Sequence, residues 1–311
     1  MNTHEENTDT HPMSWSHRMS SKIPSHRKGL IYISLTAFLW STSGFFIKYL
    51  TISAFHIMFY RSAVAAITIL IITLLRKQKV KFQFDTVTNL TSLSYAGILI
   101  LFVTATKMTT AANAIFLQFT APMYLVVLEP LVLKTKFESK NVITIIICIF
   151  GMVLFFFGKL ELGSIYGNLI AIGAGMSFAM FSLLTKYKKV KQNSDNTLIS
   201  VIMGNAFIAI FAFFFIYSDL SLTFAQGSIL LYMGVVQIGI SYMIFNIGIK
   251  YVSATESMII AMLEAIFNPI WVFIGIGEKP SVFSLIGGVI IFSAILWRSF
   301  SKKEKNFPVN S

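Results

Sequence analysis

Charge is scarce in this sequence. Of 311 residues only 12% are Asp, Glu, Lys or Arg, while 55% are hydrophobic. A soluble domain carries roughly 25% charged residues. There is too little polar surface to face water on all sides, and lipid is the solvent this composition fits. Cysteine is nearly absent: Cys148 stands alone in an apolar run, so no internal disulfide can form, and it reads as a small core residue. Histidine is almost confined to a polar N-terminal stretch, at His4, His11, His17 and His26, with His56 the exception. The spacing of the four is too irregular to point to a metal. The apolar runs hold no Asp pair and no zinc-type cluster, which excludes the usual intramembrane proteases, and no enzyme activity is expected. A Walker-type phosphate loop is missing, so ATP-driven pumping by the chain itself is not expected either. No cofactor is implied.

What is present is ten long apolar stretches, at about 30–50, 55–75, 90–107, 111–133, 141–158, 165–186, 197–217, 227–249, 253–276 and 281–299. Roughly 20 helical residues at 1.5 Å each cross the ~30 Å hydrocarbon core of a bilayer. A helix satisfies its backbone internally, whereas a barrel would need alternating segments of roughly 10 residues. The first run is also longer than the h-region of a cleavable signal peptide. The expected fold is an all-α integral membrane protein whose ten helices form two sets of five. An odd-numbered set ends on the opposite side from its start, so two sets in series are inverted relative to each other. A binding site is expected where such halves meet at mid-membrane. The expected divisions are a disordered cytoplasmic tail over 1–28, repeats over 29–160 and 161–300, and a second cytoplasmic tail over 301–311.

Net charge is +12, from 25 Lys and Arg against 13 Asp and Glu. With the N-terminus cytoplasmic, only Lys48, Lys107, Lys159 and Lys279 fall on the outer side and Arg61 lies inside a span; the other twenty basic residues are cytoplasmic. This asymmetry is the positive-inside signal. It places both termini in the cytoplasm, makes the span count even, and explains the basic balance without nucleic acid. The halves align at an offset of 138 for the first and sixth stretches, pairing Gly29 with Gly167 and Lys48 with Lys186. They align at 143 for the later ones, pairing Lys107 with Lys250 and Ala111 with Ala254. Individually these lysines read as snorkelling anchors.

Four runs carry a resemblance: AFLWSTSGFFIKYL (37–50), FYRSAVAAI (59–67), ATKMTTAANAIFLQFTAPMYLVVL (105–128) and LEAIFNPIWVFIGIGEKPSVFSLIGGVII (263–291). Over about 29–300 the chain resembles the EamA-type transporters of the drug/metabolite transporter superfamily. The resemblance implies a ten-helix inverted repeat and a central cavity lined mainly by helices one, three, four, six, eight and nine, with five and ten at the periphery. It implies alternating-access movement of a metabolite, amino acid or drug across the cell membrane, with export the commoner direction and uptake the alternative. A non-transporting receptor or scaffold is the remaining reading. Proton coupling and a homodimer stay open; membrane lipids are the expected surroundings. Two departures stand out. Glu264 is followed by Ala265 where the family often has proline, with Pro269 one turn on, which shifts any helix break. Lys134-Thr135 replace a Gly-Glu pair that the second half keeps at Gly277-Glu278.

The candidate substrate-binding residues are Trp40, Arg61, Gln118, Pro122, Tyr242, Asn246 and Glu264. Glu264 lies near mid-span, where a charge costs about 2.5–3.5 kcal/mol on insertion scales unless it meets a cavity or a partner. Arg61 could hold a substrate carboxylate or snorkel outward. Pro122 frees the carbonyl of Gln118 one turn earlier. Trp40 is central rather than in an interfacial belt. Tyr242 and Asn246, like Asn205, Gln237 and Asn268, could equally bind helix to helix. Glu129 reads as a gate or as solvated by the lysines after it. Glu256 reads as the N3 member of a capping box opened by Ser253, and so stays outside the site.

Overall fold

The computed structural model describes residues 25–76, 84–155, 157, 164–192, 197–276 and 281–300. Every regular element among them is helical. The first half contains α1 (Ser25–Trp40), α2 (Ser43–Tyr49), α3 (Ala54–Leu75), α4 (Thr86–Met108), α5 (Ala111–Gln118), α6 (Ala121–Leu133) and α7 (Ser139–Phe155). The second contains α8 (Ile165–Lys191), α9 (Thr197–Ile216), α10 (Phe224–Tyr232), a π-helical segment (Met233–Ile240), α11 (Ser241–Gly248), α12 (Ala254–Ala261), α13 (Leu263–Ile276) and α14 (Val282–Phe300). Seven helical stretches among the described residues are long and apolar enough to cross a membrane by length and composition. Ser139–Leu154 and Leu285–Ser299 form shorter apolar helices. The expected ninth stretch is divided between α12 and α13 at Met262.

Caps explain where several helices start. Asp85 accepts from the backbone N–H groups of Val87 and Thr88 and opens α4. Thr110 accepts from Asn113 N and opens α5; Ser253 accepts from Glu256 N and opens α12. Thr110 and Ser253 correspond at the offset of 143. The two half-helices that follow therefore begin alike.

Packing keeps the same pattern when the halves are exchanged. α4 lies on α8 as α11 lies on α1. α5 and α6 lie on α8 as α12 and α13 lie on α1. α3 pairs with α9, and α7 with α14. The α7–α14 pair is close because Gly151 has no side chain: a Cβ there would stand 2.9 Å from Ile291 Cγ1 and 3.1 Å from the Gly287 carbonyl. Phenylalanines and leucines on the outer faces of α7, α9 and α14 stay exposed, as at Phe150, Phe214 and Leu285. Exposed apolar bands of this kind suit lipid contact.

Lys48, Lys107 and Lys186 do more than anchor. Lys48 Nζ donates to the Thr109 carbonyl at 2.7 Å, and Lys186 Nζ to the Val252 carbonyl at 2.6 Å and the Ile249 carbonyl at 2.9 Å. Thr109 and Val252 also correspond at the offset of 143. Lys107 Nζ returns to the Leu50 carbonyl at 2.6 Å. The reading as snorkelling anchors is thus corrected. Helix C-termini leave carbonyls without intrahelical partners, and an ammonium satisfies them while tying two helices together.

Helix α1 starts ahead of residue 29. Ser25–Lys28 form the first turn of α1, and His26 is engaged in the bundle rather than free in a tail. Residues 1–24 and 301–311, with Lys159, Gly277, Glu278 and Lys279, lie outside the described residues.

Candidate functional site

Four interruptions of the helices converge on one place. α1 stops at Trp40, and Ser41-Thr42 turn before α2. α5 stops at Gln118, and Phe119-Thr120 turn before α6, with Pro122 in the first turn of α6. α12 stops at Ala261, and Met262 turns before α13. Between α10 and α11 the chain runs as a π-helix. Such interruptions free backbone groups and are tolerated at membrane depth only where protein or a cavity surrounds them.

Two of these interruptions are equivalent. Adding 143 to Phe119 gives Met262, so both halves break the corresponding helix at the same position. The break therefore stays before Glu264 and does not shift toward Pro269. Glu264 falls in the first turn of α13, where a helix N-terminus favours a carboxylate. The other two interruptions have no counterpart: α8 and α4 run continuously through the positions matching Ser41 and the π-segment.

Glycines admit the broken strands of helix. A Cβ on Gly175 of α8 would lie 2.7 Å from the Gln118 carbonyl and 2.7 Å from Thr120 Oγ1. A Cβ on Gly234 would lie 2.5 Å from Val64 Cβ and 2.9 Å from the Arg61 carbonyl. Any larger residue would push the α5–α6 turn off α8, or the π-segment off α3.

The cavity they enclose is lined by Trp40, Ser43, Arg61, Ile98, Leu99, Phe102, Gln118, Phe178, Gln237, Ile238, Tyr242 and Glu264. Its volume open to the centres of water-sized spheres is about 40 Å³. That is room for a few waters. Five of the seven sequence candidates, Trp40, Arg61, Gln118, Tyr242 and Glu264, line this one cavity. Pro122 and Asn246 stand outside the lining. Arg61 brings α3 into it, a helix not among those the resemblance names. Sequence reasoning passed over Ser43 and the apolar wall, which no local signal marks, and treated Gln237 as glue.

Within the lining the aromatic groups are well held. Trp40 Nε1 donates to Ser241 Oγ at 2.8 Å, and Ser241 in turn donates to the Gln237 carbonyl. The Trp40 ring lies 4.8 Å from Tyr242 and 5.4 Å from Phe178, centroid to centroid. Tyr242 meets Tyr95 edge-on at 4.8 Å, and Tyr95 accepts from Asn205 Nδ2 at 2.8 Å. The charged groups are not held. Arg61 is 1% exposed, and its Nε and Nη2 have no hydrogen-bond partner. Glu264 is 3% exposed, and no ion pair joins it to Arg61 among the described residues. Gln118 Oε1 and Gln237 Oε1 are also unpartnered.

One end of the bundle is tied shut by carboxylates. Glu129 of α6, 5% exposed, accepts from Ala254 N at 2.7 Å, Thr255 N at 2.8 Å and Thr255 Oγ1 at 2.6 Å. It caps α12, a helix of the other half, and is not solvated by the lysines that follow it. Glu256 is likewise corrected. Its backbone takes part in the Ser253 cap, but its side chain meets His26 Nε2 at 2.8 Å and Arg298 Nη1 at 3.9 Å. Arg298 also donates to Asn141 Oδ1 at 2.5 Å and to Glu138. α1, α6, α7, α12 and α14 are thereby joined at that end. The offset of 143 carries Glu129 onto Val272, so the second half has no matching acid.

Among the described residues no group of three or more His, Cys, Asp or Glu could hold a metal.

Known proteins share this architecture. A solved crystal structure superposes with a TM-score of 0.73 at 15% identity, over 87% of this chain and 98% of that one, which establishes the fold in common. A protein of Archaeoglobus fulgidus named as an uncharacterized transporter is 25% identical over 277 residues, 85% of this chain and 95% of its own length. One of Clostridium kluyveri, with the same name, is 26% identical over 305 residues, 90% of this chain and 96% of its own. The sequence pattern of the EamA-like transporter family matches residues 27–157 and matches a second time over 165–300. The chain belongs to the EamA-like transporter family and is a multi-pass membrane protein.

Proposed function

We infer that this chain is a secondary transporter that carries a small organic solute through its central cavity by alternating access. In this reading ten helical passes form two inverted sets of five, over 29–160 and 161–300, with both termini in the cytoplasm. Seven long stretches, two shorter apolar helices and the divided α12–α13 pair support that count. Two consecutive family matches, the equivalent breaks at Phe119 and Met262, and packing that survives exchange of the halves all support the inversion.

The observation that carries the reading is the cavity bounded by helix breaks in both halves. Rocking of one half against the other exposes such a site to each side in turn. Under the cytoplasmic assignment of the termini, the Glu129 and Glu256 clusters lie at the inner end, and this state is closed there. Export across the cell membrane is the favoured direction on family grounds, and Glu264 is the group placed for proton coupling.

Purified protein in liposomes is expected to move a solute with no nucleotide on either side. Glu264→Gln is expected to flatten the pH dependence of that movement. Transport that requires ATP hydrolysis by the chain would overturn the proposal.

A further inference from the structure

A guanidinium inside a membrane protein needs an explanation. Carboxyl groups can enter the bilayer neutral by binding a proton, whereas arginine stays charged. Arg61 is buried against the cavity, and the described residues offer its Nε and Nη2 nothing to donate to. Burying a charge without partners is costly, and an arginine fork finds its strongest partner in a carboxylate, through two parallel hydrogen bonds. The acid of the same lining, Glu264, is not that partner. Among the described residues no ion pair closes between the two.

We propose that Arg61 is an oxyanion subsite of the transport cavity, and that the cargo is an organic monoanion, a carboxylate carried on an apolar or aromatic body. The proposal deepens the transporter reading and rests on it for the word cargo. The permanent charge in the lining is a single positive one. Among the described residues no lysine and no second arginine lines the cavity, so it balances one negative charge and not the two of a phosphate monoester. The body of the cargo faces Ile98, Leu99, Phe102, Phe178 and Trp40, walls suited to a ring or a branched chain. Gln237, whose Oε1 is free, and Glu264, when it holds a proton, complete the polar side. The cavity, at about 40 Å³, must widen before a ring enters.

A matched set of probes tests this. Phenylacetate, phenethylamine, phenylalanine, phenethyl alcohol and phenyl phosphate keep the phenyl ring and vary the polar group and its charge. Binding to the full-length detergent-purified protein is read by calorimetry and by thermal stabilisation. Phenylacetate is expected to bind on the order of ten- to a hundredfold more tightly than the alcohol or the amine, the worth of a charge-assisted bidentate contact. Arg61→Gln is expected to abolish that preference, and Arg61→Lys to restore part of it by keeping the charge without the fork. If Arg61→Gln does not fold, the wild-type ranking and Arg61→Lys still decide.

Equal binding across the set, or preference for the amine, the zwitterion or the phosphate, overturns the proposal. Counterflow of labelled phenylacetate in liposomes separates the two claims. Selective binding without counterflow keeps the anion subsite and sinks the transporter reading. Counterflow that ignores charge does the reverse.

Discussion

Replacing Glu129 by glutamine should open the end of the bundle where α12 begins. The carboxylate of Glu129 holds α12 through three hydrogen bonds, from Ala254 N and Thr255 N and from the Thr255 hydroxyl. Glutamine is nearly the same size and keeps one acceptor oxygen. Placed where Oε2 now lies, that oxygen retains both Thr255 bonds in neutral form, loses the Ala254 bond, and turns an amide N–H₂ toward a helix N-terminus. The lost charge-assisted bond and the weakening of the others together cost about 2–3 kcal/mol. If the bonds exist only while this end is closed, the open-to-closed ratio rises roughly 30- to 150-fold. The reporter is a cysteine at Ser257, buried on α12 with its Oγ 3.3 Å from Ser182 Oγ of α8. With Cys148 replaced by alanine, the rate at which a maleimide labels Ser257→Cys follows the open population. Adding Glu129→Gln should accelerate labelling by about that factor while leaving the melting temperature within a few degrees. An unchanged labelling rate would refute the latch. Faster labelling with a collapsed melting temperature would show Glu129 to be a general support and not a latch.

Further outcomes follow from single contacts. Gly175→Ala places a Cβ 2.7 Å from the Gln118 carbonyl; the backbone must give, and thermal unfolding in detergent should show a loss of about 1–3 kcal/mol. Lys186→Met strands the carbonyls of Ile249 and Val252 at a buried site, with an expected loss of about 2–4 kcal/mol. The exposed Lys191→Met should stay within about 0.5 kcal/mol. At the start of α4, the Thr88 hydroxyl, and then the backbone N–H groups of Thr88 and Val87, hold the Asp85 carboxyl below its ordinary pKa of 3.8. A lowered folded pKa means that the stabilisation is complete above 3.8 and is lost as pH falls through the folded value. Melting curves from pH 6 down to pH 3 should therefore fall more steeply for the native chain than for Asp85→Asn, which caps the helix without titrating.

Several features were readable locally because membrane insertion imposes them locally. A helix must satisfy its backbone within about 20 residues and an intramembrane charge must meet something, so Glu264 and Arg61 were conspicuous one residue at a time. Ser253 was legible as a cap, and the offset of 143 between the halves carried real structure, since it superposes that cap on the one at Thr110 and also superposes the helix breaks. The partners of Glu129, Glu256 and Lys186 were not legible for one shared reason. Each finds its partner on a helix 63 to 230 positions away in sequence, and no local spacing encodes that distance. His26 was assigned to a tail for the same cause.

By itself the sequence determined the all-helical class, the membrane as solvent, the doubled pattern and five of the residues that line the cavity. These follow from hydropathy, from backbone hydrogen bonding and from the cost of charge in lipid, which act along the chain. Only the tertiary structure decided that Arg61 and Glu264 share one cavity without pairing, that Pro122 and Asn246 lie outside it, and that Glu129 and Glu256 tie one end of the bundle. Those depend on which helices lie side by side, and glycines such as Gly175 and Gly234 settle how closely they do.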